Sequence, residues 1–264
     1  MKKKMGIDRP LPVQYLSWLK DIGTGDMGYS LIEKGTVREV LQRRILPTAQ
    51  LAIQAVLLSW IIGLPLGILS ALRQGSVLDY ISRFISILGL SLPSFWVGIM
   101  IVWTMATQFS YFPPLEYRAP WQDPWISFQI TITASVVLGF ILMAYIARMG
   151  RSSMLEVMRE DFIRTARSKG LRERLVIVRH ALKIGVLPVL TLSAVHMGAV
   201  LGGTAVIEQV FNISGLGRTV VDSVIKRDII VVQNVVVMLT SFFILLNLAT
   251  DIIYGLLDPR IRQT

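Results

Sequence analysis

Residues 160–188 read EDFIRTARSKGLRERLVIVRHALKIGVLP, the most highly charged stretch of an otherwise apolar chain. The pattern predicts two short amphipathic helices. In the first, Met154, Met158 and Phe162 fall four apart with Ala166 next, so they line one face. Gly170 stops that helix, and Lys169 sits in its last turn. In the second, Leu171, Leu175, Val178 and Leu182 carry the apolar stripe, while Arg172, Arg174, Arg179 and Lys183 stay off it. After Lys183 the sequence turns wholly apolar. A basic helical elbow therefore leads straight into a long apolar run. Helix–Gly–helix is also the outline of a DNA-binding helix-turn-helix, and of a solvated loop between membrane spans. The flanking runs decide between these readings.

Those runs set the fold class. Of 264 residues, 53% are hydrophobic and 17% charged, against roughly 25% charged in soluble domains. The mean hydropathy is +0.59. The apolar residues gather into charge-free runs close to the ~20 residues that cross a bilayer. The chain therefore reads as all-α, a polytopic integral membrane protein with five transmembrane helices at 49–72, 84–107, 128–147, 184–207 and 231–250. A basic loop at 148–183 joins the third to the fourth. Embedding between spans argues against nucleic acid as a partner and for membrane lipid. Cysteine is absent, which excludes disulfides and thiolate metal sites. His180 and His196 are the two histidines. No G-x-x-x-x-G-K-[ST], H-E-x-x-H or G-x-S-x-G pattern occurs, so neither a nucleotide site nor catalytic or metal-binding residues are expected in this chain.

Within the runs, a few residues break the apolar pattern. Thr36, with Glu39 three residues on, marks a helix start. Gly63 and Gly67, four apart, either admit a close neighbouring helix or face lipid. Pro65 between them is expected to kink the helix. Ser91, Pro93 and Ser94 interrupt the second span. The freed carbonyl there needs a partner, which suggests a face on a translocation path; a proline kink packed on a neighbour is the alternative. His196 lies mid-span, either on that path or hydrogen-bonded between helices. Trp121 and Trp125 suit a membrane–water interface. Asn247 and Asp251 share a helix face near the end of the fifth span.

Charge fixes the expected orientation. Ten Lys and Arg fall within 148–183, from Arg148 to Lys183, against one, Arg118, within 108–127. The basic loop therefore faces the cytoplasm. Alternation puts 208–230 outside and the tail, 258–264, in the cytoplasm. It also puts residues 1–48 outside as an extracytoplasmic segment, although they carry nine basic residues and no preceding span.

A family resemblance accounts for these features together. Arg164-Thr165-Ala166-Arg167-Ser168-Lys169-Gly170-Leu171, followed by Arg179-His180-Ala181-Leu182 and Leu187-Pro188, resembles the cytoplasmic "EAA" loop of ABC importer permeases, in the form of the dipeptide/oligopeptide/nickel group. Ser91-Leu92-Pro93-Ser94-Phe95-Trp96, Gly215-Leu216-Gly217-Arg218 with Val221-Asp222 and Arg227-Asp228, and the tail Leu257-Asp258-Pro259-Arg260 resemble other segments of that group, in order. Gly6-Ile7-Asp8-Arg9-Pro10 resembles the segment after the family's first span, which implies one span upstream of this sequence. The resemblance implies that Arg164, Thr165, Ala166, Lys169, Gly170 and Leu171 form a helix that docks on an ATPase. It implies as partners a second homologous permease, two cytoplasmic ATPases that bind the ATP, and an extracytoplasmic binding protein. Peptides are the implied cargo, with nickel or another small solute as the alternative. A secondary transporter or channel would place several ionisable groups at mid-membrane, and the five runs offer only His196.

Overall fold

The computed structural model describes residues 10–257 apart from 31, 33 and 115. The segments before Pro10 and after Leu257, with the readings placed on them, lie outside the described residues, as does the side chain of Asp251. Among the described residues, three helices are long and apolar enough to cross a membrane, or up to five spans if each of two bent helix pairs counts as one.

The scaffold is a pair of very long helices. α2 runs Val37–Leu72 and α5 runs Pro124–Val157. Thr36 caps α2 as its sequence predicts, accepting the Glu39 N–H at 3.4 Å. Asp123 caps α5 through the Ile126 N–H at 3.0 Å. The apolar run at 49–72 is therefore the inner part of α2, not the whole helix. Its 36 residues span about 54 Å, well beyond a ~30 Å hydrocarbon core. The first turns, with Arg38, Arg43 and Arg44, stand clear of the apolar run.

Small residues let these two helices touch backbone to backbone. Ala55, Ser59, Gly63 and Gly67 recur four apart on one face of α2, and all are buried. A Cβ on Gly63 would come within 2.8 Å of the Met143 carbonyl oxygen, and one on Gly67 within 2.4 Å of that of Ala147. The glycines therefore face a neighbour, not lipid. Toward the other end, the same seam is polar. The Gln50 amide oxygen accepts from the Tyr117 and Ser127 hydroxyls, at 2.7 and 2.9 Å, and its NH2 donates to Thr131 Oγ1 at 3.1 Å.

The run at 84–107 is not one straight span. α3, Val77–Ser91, and α4, Ser94–Gln108, meet at 100°. Pro93 is the cause, because it has no N–H to continue the helix ladder. α3 also starts within the segment 73–83 expected to be loop, capped by Ser76. The basic loop departs from its predicted form too. α5 ends at Val157 and α6 is Asp161–Ser168, so Met154, Met158, Phe162 and Ala166 straddle a break yet still share one apolar cluster. After Gly170 come α7, Glu173–Leu175, a π-helical turn, Val176–Ala181, and α8, Leu182–Gly185. α9, Leu187–Val210, departs from the preceding helical segment at about 40°.

The remaining elements close the opposite end. α10 is Leu216–Ile225 and α11 is Ile229–Leu257. A two-residue hairpin, β1 Tyr29–Ser30 with β2 Gly35–Thr36, lies against the start of α11. There the Ser30 hydroxyl donates to Asp228, and Asn234 Nδ2 donates to the Met27 carbonyl at 3.0 Å. Sequence reasoning missed α1, Leu11–Thr24, which has no buried residue. Two apolar clusters mark the ends of the molecule. Val37, Leu41, Leu216, Val231 and Val235 form one; Ala71, Met154, Ile163, Ala166 and Val176 are in the other.

Gly67→Val places a methine carbon against the Ala147 carbonyl and forces α2 and α5 apart. The expected cost is about 1–3 kcal/mol or more, read as a lower thermal unfolding midpoint in detergent. Gly23→Ala, where an added Cβ meets nothing within 4 Å, is the control and leaves the midpoint unchanged or raised.

Candidate functional site

The elbow at 158–186 is an amphipathic lever with its own small core. Ile163 and Ala166 of α6 are buried against Ala71, Met154, Val157 and Val176. Arg164, Thr165, Lys169, Gly170 and Leu171 are exposed. Ala166 therefore does not offer its side chain to an external groove; it seats α6 on the permease itself. Gly170 has φ +76°, the left-handed conformation that closes a helix and that β-branched residues resist. The Leu171 N–H returns to the Ala166 carbonyl at 3.4 Å, and the Gly170 N–H to that of Arg167 at 2.9 Å. Arg167 then braces the turn through two bonds to Glu173, Nε to Oε2 at 3.1 Å and Nη2 to Oε1 at 2.7 Å. These bonds hold the Glu173 carboxyl below the usual carboxylate range. The brace is therefore lost only as the pH falls through that lowered value. Both partners are solvated, which keeps its contribution small.

A buried carboxylate anchors this lever to the bundle. Asp79 is fully buried and accepts five bonds. Arg151 supplies two, from Nε at 2.7 Å and Nη2 at 3.1 Å; Ser70 Oγ donates at 2.5 Å, the Gly75 N–H at 3.0 Å and Arg83 Nη2 at 3.1 Å. The knot joins the end of α2, the turn after it, the start of α3 and the inner end of α5. Arg151 lies one turn before Met154, so the same helix end carries both the knot and the elbow core. In the sequence these charges fall outside the apolar runs, between 72 and 84 and after 147. The missed signal is an aspartate three residues after the helix-capping Ser76.

Among the described residues, no hydrogen bond joins the residues expected on a translocation path. Ser91 and Pro93 are exposed at the α3–α4 break and Ser94 is half-buried. No hydrogen bond from either serine hydroxyl closes on the freed carbonyl. His196 stacks on Tyr145, ring centroids 4.0 Å apart, so a ring contact stands where a hydrogen bond between helices was one expectation. Just before the break, Gly89 packs on α5: a Cβ there would lie 2.8 Å from that of Ala144. Gly198, Gly202 and Gly203 do not interrupt α9. Gly198 instead receives the Phe243 ring of α11, since a Cβ there would lie 2.3 Å from Phe243 Cε2.

A second buried carboxylate organises the opposite end. Glu208, fully buried, accepts from Thr48 Oγ1 at 2.6 Å and from the Arg218 N–H at 2.7 Å, and also from the Gly217 N–H. Thr48 in turn accepts the Leu216 N–H at 2.8 Å. Two side chains from α9 and α2 thus satisfy the first free N–H groups of α10. This explains the Gly215-Leu216-Gly217 pattern. A Cβ on Gly215 would sit 2.3 Å from Glu208 Oε1, and one on Gly217 2.6 Å from the Ala205 Cα.

A helical membrane bundle whose long spans meet a basic, helix-turn element at one end fits a transport permease. The chain belongs to the binding-protein-dependent transport system inner membrane component family, whose pattern matches residues 63–263. It is thus an inner-membrane ABC transporter permease subunit, which works with ATPase and substrate-binding partners. Among its relatives is the dipeptide transport system permease protein DppB of Alkalihalophilus pseudofirmus, 36% identical over 283 residues, covering 99% of this chain and 85% of the relative. The oligopeptide transport system permease protein AppB of Bacillus subtilis is 36% identical over 98% of this chain and 83% of its own. The inward-facing MetNI methionine ABC transporter superposes with a TM-score of 0.62 at 20% identity, over 83% of this chain and 96% of that one, a likeness of fold.

Asp79→Asn leaves the Arg151 guanidinium without its buried counter-charge. The expected loss is about 3–5 kcal/mol. Adding Arg151→Met removes the orphaned charge and recovers a large part of it. Detergent unfolding midpoints of the two single variants and the double variant check this.

Proposed function

We propose that this chain is one of two permease subunits of a peptide importer. Residues 1–48 lie on the extracytoplasmic side, the core at 49–257 spans the inner membrane, and the tail at 258–264 is cytoplasmic. Two ATPase subunits bind and hydrolyse the ATP and a binding protein delivers the peptide. The observation that carries this reading is the elbow. Arg164, Thr165, Lys169 and Leu171 present an exposed, basic-and-apolar surface around a left-handed glycine. Ile163 and Ala166 weld its underside to the inner ends of α2 and α5. A push on the exposed face is thereby delivered to two spans. The π-helical turn at Val176–Ala181 leads on to α8 and α9 and links the elbow to a third span. Peptides as cargo rest on the relatives named for dipeptide and oligopeptide transport.

Thr165→Trp and Leu171→Asp alter the exposed face alone. In the assembled transporter they should weaken ATPase pull-down and abolish the stimulation of ATP hydrolysis by loaded binding protein, with the permease still recovered in full. Ala166→Trp should instead lower permease recovery, because its side chain is internal. Wild-type docking and stimulation in the first two variants would remove the coupling role from this elbow.

Orientation has its own test. Single cysteines at Ser168 and Trp121 are informative because none is native. A membrane-impermeant thiol reagent should label position 121 and leave position 168 unlabelled in intact cells with a permeabilised outer barrier. The reverse pattern would invert the topology.

A further inference from the structure

At the end of the bundle opposite the elbow, a pocket of about 130 Å³ opens between α2 and α10. Its charged lining is Arg44, Arg218, Lys226 and Asp222. Asp222 is already engaged. Arg218 Nε lies 3.6 Å from its Oδ2, and Gln209 Nε2 lies 3.5 Å from its Oδ1. Arg218 is held further by the Asn212 amide oxygen, at 2.5 Å from Nη1. Arg44 is different. It is half-buried, and among the described residues its guanidinium meets no carboxylate and no hydrogen-bond acceptor. Ser214, Thr219 and Ser223 complete the lining, although the Thr219 hydroxyl already donates to the Gly215 carbonyl at 2.7 Å.

We propose that this pocket receives the C-terminal carboxylate of the incoming peptide; the proposal rests on the peptide reading above. With Arg218 and Asp222 paired, Arg44 and Lys226 leave the pocket net positive, and the Ser214 and Ser223 hydroxyls are the other donors an oxyanion needs. The N-terminus of α10 is not the attraction, since Glu208 and Thr48 already take its N–H groups. The arginines at the start of α2 sit on the side of the membrane where basic residues are disfavoured, so their placement calls for an anion. A lipid phosphate shares the carboxylate's charge, but lipid needs an adjoining apolar groove for its chains. Val40 is the single apolar residue of the lining. A carboxylate is also the one group that every unblocked peptide carries whatever its sequence, which suits a site at the entrance.

The test uses the whole transporter in nanodiscs, with one saturating binding protein, and compares uptake of a peptide with that of its C-terminal amide. Because the binding protein is common to all variants, its own preference cancels. Arg44→Gln should lower the acid-to-amide uptake ratio roughly tenfold, the size of one lost charge-assisted bond. Arg44→Lys should restore most of it, and Lys226→Gln, on an exposed side chain, should lower the ratio in the same direction. An unchanged ratio in both Gln variants, or equal losses for acid and amide, overturns the proposal. So does an effect that disappears in nanodiscs without phosphatidylglycerol, which would make the pocket a lipid headgroup site. Absence of uptake of either peptide by the wild-type transporter would overturn the peptide reading and this one with it; wild-type uptake with an unmoved ratio would overturn this one alone.

Discussion

Everything in this molecule depends on the contact between α2 and α5. Lipid tails are as apolar as the helices, so burying leucine against leucine gives little drive to associate within the membrane. What remains is close packing and polar bonding, and this seam uses each in its own region. Where Gly63 and Gly67 lie, backbones touch. Where Gln50 lies, an amide is shared among Tyr117, Ser127 and Thr131. Two helices of 36 and 34 residues held along their length form one rigid beam.

The two buried carboxylates then have matching roles at the beam's two ends. Asp79 ties the elbow-side ends of α2 and α5 to α3. Glu208, through Thr48, ties the part of α2 farther from the elbow to α9 and α10. Each sits where three chain segments converge and where a shift would leave a buried charge unpaired. That penalty is several kcal/mol, so intermediate positions are disfavoured and the ends move as units or not at all. The elbow hangs from the first of these knots. Its helix α6 is too short to be stable alone and owes its form to the core under Ile163 and Ala166.

Much of this was legible in the sequence, for reasons that can be named. Thr36 with Glu39, the glycine spacing in α2 and the stop at Gly170 each encode a local constraint, and local constraints survive reading one segment at a time. The fold class followed from runs of 24 residues without a charge. The elbow was found because its amphipathic stripe contrasts with its surroundings. The break between α5 and α6 was not, because Met154, Met158, Phe162 and Ala166 keep helical spacing across it; periodicity reports a shared face, not a continuous helix. Pro93 announced an interruption, but its 100° angle depends on where α5 and α9 allow α3 and α4 to lie. The partners of Asp79 and Glu208 were hidden for the same reason. Arg151 is 72 residues from Asp79, and Thr48 is 160 from Glu208.

The relation between the elbow and the opposite end follows from where bonds are rigid and where they are replaceable. At the inner end, Ala166 and Ile163 face inward, so the elbow cannot swing free of α2 and α5. It can only move with them. At the opposite end, Glu208 and Thr48 fix the start of α10, while Asp222, further along it, is met by Gln209 at 3.5 Å and Arg218 at 3.6 Å. The start of α10 is thereby bonded directly to α2 and α9, and the rest of the helix packs on α9 and α11, with Ser223 buried in its second half. A shift of α2 against α9 would therefore be felt first at Gly215–Arg218, where both helices bond to the start of α10.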